Sequence, residues 1–302
     1  MPLAVAVVGD ALMDVTIAPA EPMRPGGDVP AIVRFGPGGQ GANVAVRLAR
    51  RGATTRLAGA LGDDAAGRLL REALEVDGVR IEAAATAATG AAAILLAPGG
   101  ERTMLSQRVP LLPHVDLAAL TAGVDWLVIS GYALLEDGAL AFARRCAAQQ
   151  PLRAILGCAV PDARVADWRA AASAARAHLV VLNADEARVL AGADDELEAL
   201  VAALALELGA AVIVTGPRRA SAVAGDIRVT VAAPTDSAGV VDTTGAGDAF
   251  AAALIVRLGV AWPPDADALG AAMSDALSIA GEVVGVPGAQ GPIASERGGA
   301  SG

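Results

Sequence analysis

The strongest chemical signal is a run of nine residues near the C-terminal end, Asp242-Thr243-Thr244-Gly245-Ala246-Gly247-Asp248-Ala249-Phe250. It follows an extended segment, 227–233, and leads into an apolar helical run, 249–258. Small residues at 245–247 let the backbone approach a ligand closely. Their N–H groups open a helix and have no intrahelical partners, which makes a ready anion site. Asp248 then sits in the first turn, beside whatever anion the loop holds. A carboxylate there can take a proton from a hydroxyl while the adjacent N–H groups stabilise charge on a transferring phosphoryl group. The plainer alternative is a glycine-rich turn followed by a favourable first-turn acid.

A second cluster, Gly36-Pro37-Gly38-Gly39-Gln40-Gly41-Ala42-Asn43, lies between an extended segment and a helix. Its spacing fits G-x-G-x-x-G at Gly36, Gly38 and Gly41, and Asp63 stands 22 residues beyond Gly41. That is close to the ~20 residues expected for a ribose-binding acid, so an NAD-dependent oxidoreductase is a rival reading. Against it, this is not the first strand of the sheet, Pro37 is unusual in such a turn, and residues 242–250 are left without a role. Two further groups follow predicted strands: Asn183-Ala184-Asp185-Glu186, which alone reads as a helix cap with first-turn acids, and Thr215-Gly216-Pro217-Arg218.

Composition removes several chemistries. The 302 residues contain no lysine, so all 23 basic residues are arginine. A Walker-type phosphate loop, a protein-kinase strand lysine and a pyridoxal Schiff base are therefore excluded. A formal net charge of −10 argues against nucleic acid as a partner. It leaves room for a nucleotide, because Mg²⁺ and backbone N–H groups can hold phosphates. Cys146 and Cys158, and His114 and His178, lack metal-ligand spacing; the cysteines read as buried free thiols. No apolar run approaches the ~18–20 residues needed to span a bilayer, and the N-terminus lacks a basic signal-peptide region. The chain reads as cytoplasmic.

The elements that must position these residues follow from hydrophobic patterning. With 54% hydrophobic and only 2% aromatic residues, the core is built from Ala, Val and Leu. Residues 3–8, 54–60, 126–130, 153–158, 179–182 and 211–215 read as buried strands. Helices are predicted over 38–51, 64–76, 136–149, 164–175 and 194–208, with Leu69, Leu70, Ala73 and Leu74 inward in the second. Alternation of strand and helix implies right-handed crossovers and a mostly parallel sheet. Segments 11–35 and 91–106 lack crossover helices and read as a small accessory sheet. The Gly/Ser-rich end, 291–302, reads as a frayed tail.

Residues 242–250 resemble the C-terminal signature, D-T-x-G-A-G-D-x-F, of the PfkB-type (ribokinase-like) sugar and nucleoside kinases. Residues 38–43 look like that family's N-terminal signature, G-G-x-G-x-N. The resemblance implies an α/β fold, with a central mainly parallel sheet flanked by helices on both faces and a small β-sheet lid. It makes residues 1–290 one kinase domain. It implies Asp248 as catalytic base, with Gly245, Ala246 and Gly247 supplying the anion hole. Asp14, Gly38, Gly39 and Asn43 fall at the sugar, where a carboxylate and an amide suit a polyol. Arg102, in a lid turn, falls where it could fork onto a substrate phosphate or carboxylate.

Asn183 and Glu186 match the family's N-x-x-E element, which organises Mg²⁺ largely through water. Thr215 and Gly216 fall in the nucleotide turn, although that motif is a residue short and ends on Ala220. Ser274 is placed at the border of the adenine. Asp242 and the Thr244 carbonyl match part of a K⁺ site, its other half coming from residues 286–290. Gln40 stands where ribokinases often have lysine. The implied partners are ATP and a small sugar or nucleoside, with a homodimer through the lid. A non-catalytic sugar or nucleoside sensor on the same fold is the other alternative.

Overall fold

The computed structural model describes residues 1–82, 84–96, 102–234, 243–286, 288–291 and 296. The turn at 98–100, Asp242 and most of 292–302 lie outside the described residues. In chain order the elements begin with strands β1 (Ala4–Val8), β2 (Leu12–Pro19) and β3 (Ala31–Gly38), then helix α1 (Gln40–Arg50). They continue with β4 (Thr54–Ala58), β5 (Ala60–Gly62), α2 (Ala65–Val76), β6 (Arg80–Ile81), β7 (Ala84–Thr86), β8 (Gly90–Leu96) and β9 (Arg102–Gln107). The middle holds α3 (Leu117–Thr121), β10 (Trp126–Ile129), α4 (Ala139–Ala147), β11 (Leu152–Leu156), α5 (Val165–Ala174), β12 (Leu179–Asn183) and α6 (Ala184–Ala191). The chain then runs through α7 (Leu197–Leu208), β13 (Ala211–Thr215), β14 (Arg219–Ala224), β15 (Ile227–Ala232), α8 (Ala246–Leu258) and α9 (Ala266–Val284).

Among the described residues, one sheet of nine strands has the order β15-β14-β13-β12-β11-β10-β1-β4-β6. From β13 to β6 all neighbours are parallel; β14 and β15 close one edge antiparallel. Strands β10, β11 and β12 are near-continuous buried apolar runs, as a sheet covered on both faces requires. The two hydrophobic clusters, one on each face, confirm that cover. The segments predicted as an accessory sheet form a separate sheet of order β3-β2-β8-β9.

Helix α8 is buried nearly all round, by Ala249, Phe250, Ala251, Ala252, Ala253, Leu254 and Ile255. Alanine is what allows this, because its short side chain lets α1 and α9 close on α8 from two sides. Helix α1 reaches the sheet in a similar way. A Cβ on Gly41 would lie 2.6 Å from the Gly9 carbonyl carbon, so only glycine lets the first turn of α1 rest on the end of β1.

Three expectations change. Leu69 is exposed rather than inward, while Leu70 and Leu74 are fully buried, because the buried stripe of α2 is narrower than the run of leucines suggests. Strand β14, unpredicted, fills 219–224 and hairpins with both neighbours. Within the stretch read as a frayed tail, Glu296 is 3% exposed and paired with Arg47.

Arg47 is fully buried on α1. Its Nη1 donates to both Glu296 carboxylate oxygens at 2.9 Å, and its Nη2 to the carbonyls of Ala289 (2.7 Å) and Gly291 (3.0 Å). Removing one partner of such a pair leaves the other charge buried and unpaired. Arg47→Met is therefore expected to lower the unfolding free energy by about 3–5 kcal/mol in urea denaturation. A loss under about 1 kcal/mol would show that the pair behaves as a surface ion pair.

Candidate active site

The carboxyl ends of the parallel strands open onto a cavity of about 200 Å³. Crevices of open parallel sheets lie on this side. Its lining brings together Asp14, Gly39, Asn43, Arg102, Asn183, Glu186, Thr215, Thr244, Gly245, Gly247 and Asp248, residues that the sequence reading had placed in one site.

The residues expected to form the anion hole open a helix. Gly245 caps α8 with φ +80, and a Cβ there would lie 2.8 Å from Ala289, so the position needs glycine for both conformation and space. The first N–H groups of α8 have no intrahelical acceptor. The Ala246 N–H makes only a 3.4 Å contact with the Thr243 carbonyl. Gly247 is exposed and lines both this cavity and the next.

Asp248 follows in the first turn. Its Oδ2 accepts from Asn43 Nδ2 at 2.8 Å, a bond across 205 residues of sequence. Burial pushes the Asp248 carboxyl up to about 7; the Asn43 bond opposes this, the Asp10 and Glu186 charges add to it, and Arg47 opposes it. A general base works best with its pKa near the operating pH.

On the acceptor side, Gly39 enters α1 at φ +91, which turns the chain from lid to helix. A Cβ on Gly38 would collide with the Asp14 carboxylate, so Gly38 gives that acid its place. Arg102 projects from lid strand β9, and its Nη1 donates to Thr244 Oγ1 (2.6 Å) and Thr243 Oγ1 (3.2 Å). It thus ties the lid to the loop before α8, a contact that spacing alone did not indicate.

Asn183 and Glu186 form a reciprocal capping box on α6: Glu186 N–H donates to Asn183 Oδ1 (2.9 Å) and Asn183 N–H to Glu186 Oε2 (2.8 Å). The capping role and the site role coincide, since both residues line the cavity. Burial raises the Glu186 carboxyl.

A second cavity, of about 580 Å³, adjoins the anion hole and is lined by Thr215, Gly216, Pro217, Pro234, Ala246, Gly247, Phe250, Leu277 and Ser278. Thr215 and Gly216, expected in the nucleotide turn, both line it. Ser274 does not: it is exposed and absent from this lining, and Ser278, one helical turn further on α9, takes its place. A serine at either position fits the helical pattern, and only the register of α9 against α8 and β15 decides between them.

Sequence reasoning also missed Gln40, Arg108 and Gln290. Gln40 Nε2 donates to the Gly157 carbonyl (2.7 Å), while its Oε1 accepts from Ser130 Oγ (2.7 Å) and Gly131 N–H (3.1 Å). The amide therefore joins α1 to the ends of β10 and β11, a task lysine, with donors only, could not perform. Arg108 stacks over the Tyr132 ring with Cζ 3.5 Å from its centroid and donates from Nε to Asp10 at 3.0 Å.

The dinucleotide alternative loses its support in this geometry. Gly36 and Gly38 belong to β3 of the lid, not to the large sheet, and Asp63 is fully exposed. Residues 3–295 match the model of the pfkB family of carbohydrate kinases. The chain belongs to that family. It is 31% identical over 251 residues to fructokinase-1 of Oryza sativa, covering 76% of each. It is 30% identical over 274 residues to the aminoimidazole riboside kinase of Salmonella typhimurium, covering 84% of this chain and 83% of the relative. The crystal structure of ribokinase from Cryptococcus neoformans in complex with ADP superposes with a TM-score of 0.74 at 22% identity, over 96% of each chain.

This pfkB family member is accordingly a sugar or nucleoside kinase, a phosphotransferase with an alcohol acceptor, built on a ribokinase-like fold. The reading as a non-catalytic sensor is set aside, since the relatives are named as kinases. Of the two residues predicted at K⁺, Asp242 lies outside the described residues and Thr244 is buried. Among the described residues no helix is long and apolar enough to cross a membrane. Both cysteines are buried and unpaired, and burial pushes both thiols up.

The Asp248 carboxyl is expected to titrate near pH 7 when followed by ¹³C NMR in the unliganded protein. Its folded pKa lies above the ordinary 3.8, so the folded state binds this proton more tightly than the unfolded chain. Stability is then lost as pH rises from about 4 to about 7 and is level above. Asp248→Asn carries no charge to bury. It is expected to melt a few degrees higher than the wild type at pH 8, with the difference vanishing near pH 4.

Proposed function

We propose that the enzyme transfers the γ-phosphoryl group of ATP to a primary alcohol of a small sugar in its furanose form, with Asp248 as general base. One observation carries the reading. The Asp248 carboxylate stands in the first turn of α8, beside the open amides of residues 245–247, in the cavity that also holds Asp14, Asn43 and Glu186. The base and the anion hole thus face one small volume, as in-line transfer to an alcohol requires.

In this mechanism Asp14, Gly38, Gly39 and Asn43 hold the acceptor. Asp248 takes the hydroxyl proton onto its carboxylate as the alcohol oxygen attacks phosphorus. The N–H groups of Gly245, Ala246 and Gly247 stabilise the charge on the transferring group. Thr215, Gly216 and Ser278 border the nucleotide. Closure of the lid sheet, tied by Arg102 to Thr243 and Thr244, excludes water and limits ATP hydrolysis.

The donor set suits Mg²⁺. Among the described residues no group of three or more His, Cys, Asp or Glu could form a metal cage. Mg²⁺ typically takes one or two carboxylates together with substrate phosphates and water. Glu186, with Asn183 beside it, would hold it through water, and bound Mg²⁺ would neutralise phosphate charge. The K⁺ reading rests on Thr244 and on Gly288, Ala289 and Gln290, which line one cavity behind the anion hole.

The choice of acceptor draws on the relatives. Fructose and a riboside share a five-membered ring form that bears a primary alcohol, so fructose and ribose are the first acceptors to test. A cytoplasmic setting would supply the ATP the reaction consumes. A homodimer through the lid is supported by apolar side chains on one face of its edge strands: Val33 is 49%, Phe35 72% and Leu105 61% exposed. A monomer rarely leaves such a patch uncovered.

An ADP-release assay over fructose, ribose, adenosine and glucose is expected to show turnover with a furanose-forming sugar. Its kcat/KM should rise with pH through about 7, as Asp248 ionises. Asp248→Asn is expected to lower kcat by roughly 10²–10⁴-fold while ATP affinity, read by calorimetry, stays within about twofold. Turnover kept in that variant would remove the base assignment.

Sedimentation equilibrium tests the second part of the proposal. A dimer is expected for the wild type and a monomer for Phe35→Asp; a monomeric wild type would rule out the lid interface.

A further inference from the structure

Asn43 stands between the side chains of Asp248 and Gln290. Its Nδ2 donates to Asp248 Oδ2 at 2.8 Å, and its Oδ1 accepts from Gln290 Nε2 at 3.0 Å. Asn43 is 5% exposed and Gln290 8%. Gln290 Oε1 is buried without a hydrogen-bond partner.

A carboxamide donates at one end and accepts at the other, whereas an ionised carboxylate only accepts. For Asn43 to offer its N–H to an ionised Asp248, its carbonyl must point at residue 290, and only a donor satisfies it there. The backbone around Gln290 is fixed by the helix that carries Asn43. Arg50 Nη1 donates to the Gln290 carbonyl at 2.8 Å, and Arg47 Nη2 to the carbonyls on either side of it. Arg47 lies four residues after Asn43 and so occupies the same face of α1. Ala289, next to Gln290, packs against Gly245 of the anion hole.

We propose that Gln290 is a positioning residue for phosphoryl transfer: by donating to Asn43 Oδ1 it turns the Asn43 amide so that its N–H meets the Asp248 carboxylate. The inference rests on Asp248 acting as base, and it adds a residue from beyond α9 that touches neither acceptor nor nucleotide. The Asn43 bond is the main interaction opposing the rise of the Asp248 pKa. The charged groups that act on Asp248 are Asp10 after β1, Glu186 in α6 and Arg47 in α1. Gln290→Leu leaves all three in place, adds no charge and alters only the polarity of Asn43.

Two variants of the full chain test this, each checked first by thermal unfolding. Gln290→Leu leaves Asn43 Oδ1 without a donor and frees the amide to turn. Gln290→Glu keeps the shape and, once ionised, demands the Asn43 N–H for itself, presenting Oδ1 to Asp248, which must then keep its proton to donate. The acid limb of kcat/KM is expected to move up by about one pH unit in Gln290→Leu and further in Gln290→Glu. At pH 6.5 kcat/KM should fall roughly tenfold, with most of the loss recovered at pH 9 and KM for ATP unchanged.

An acid limb left in place, or a loss equal at every pH, would overturn the proposal, since a merely structural role gives that pattern. If Gln290→Leu fails to fold, Gln290→Met, unbranched and likewise without a donor or a charge, decides in its place. If Asp248→Asn retains turnover, the base reading fails separately. The ¹³C titration of Asp248 in the Gln290 variants then still answers, without turnover, whether residue 290 sets its proton affinity; an unmoved midpoint would refute the assignment.

Discussion

The starts of α1 and α8, one near each end of the chain, are joined by a single hydrogen bond from Asn43 to Asp248. Two helix starts can meet this closely only where side chains are missing from the space around them. Gly41 rests on Gly9, and Gly245 rests on Ala289, each at a separation that a Cβ would violate. These glycines are thus spatial requirements before they are ligand-binding ones. Once the two helix starts are fixed, the base, the open amides and the acceptor-side residues come together without any loop having to find its place.

The absence of lysine shapes how charge is handled. The only side-chain cations available to this acidic chain are arginines, and the best buried of them hold the fold rather than a ligand. Arg153, 8% exposed, donates to the carbonyls of Gln149, Pro151, Ala175 and Arg176, satisfying loop carbonyls at the amino-terminal end of β11 in the middle of the sheet. Arg47 does the same for the segment after α9. A planar guanidinium with five donors can serve several carbonyls at once, which an ammonium cannot match in fixed geometry. Under the proposed mechanism, attraction for phosphate is left largely to the partial positive charge of the α8 start.

Much of this was legible in the sequence because the chemistry is local. Residues 245–248 need only a strand, three small residues and a helix in succession, and the pattern carries all three. The parallel strands were legible as short apolar runs. What failed depended on register or on distant pairing. Leu69 and Leu70 are adjacent leucines, and only packing decides which faces inward. Ser274 and Ser278 differ by one turn of the same helix. Gln290 meets Asn43 across 247 residues, and no local rule marks an isolated glutamine in a glycine-rich stretch as a partner for an asparagine. Arg102 was seen as a cation near the site, but its partners, Thr243 and Thr244, are set by how the lid folds over.

The Arg102 bridge bears on how acceptor capture and phosphate capture are linked. Strand β9, which supplies Arg102, belongs to the same sheet as β2, which supplies Asp14. Thr243 and Thr244, which receive the bridge, immediately precede the cap of α8. A lid lifted from the cavity would break two hydrogen bonds to that loop, so the strands that cover the acceptor and the loop that shapes the anion hole are mechanically one unit. Closing the lid desolvates Asp248, which raises its proton affinity, and encloses the same small volume in which the amides of α8 wait for negative charge. A base hard to ionise in an empty closed site is also a base unable to activate stray water. Under the proposed mechanism the electrostatic cost of burying Asp248 therefore serves selectivity, since the carboxylate is most effective when an alcohol, not an empty space, lies beside it.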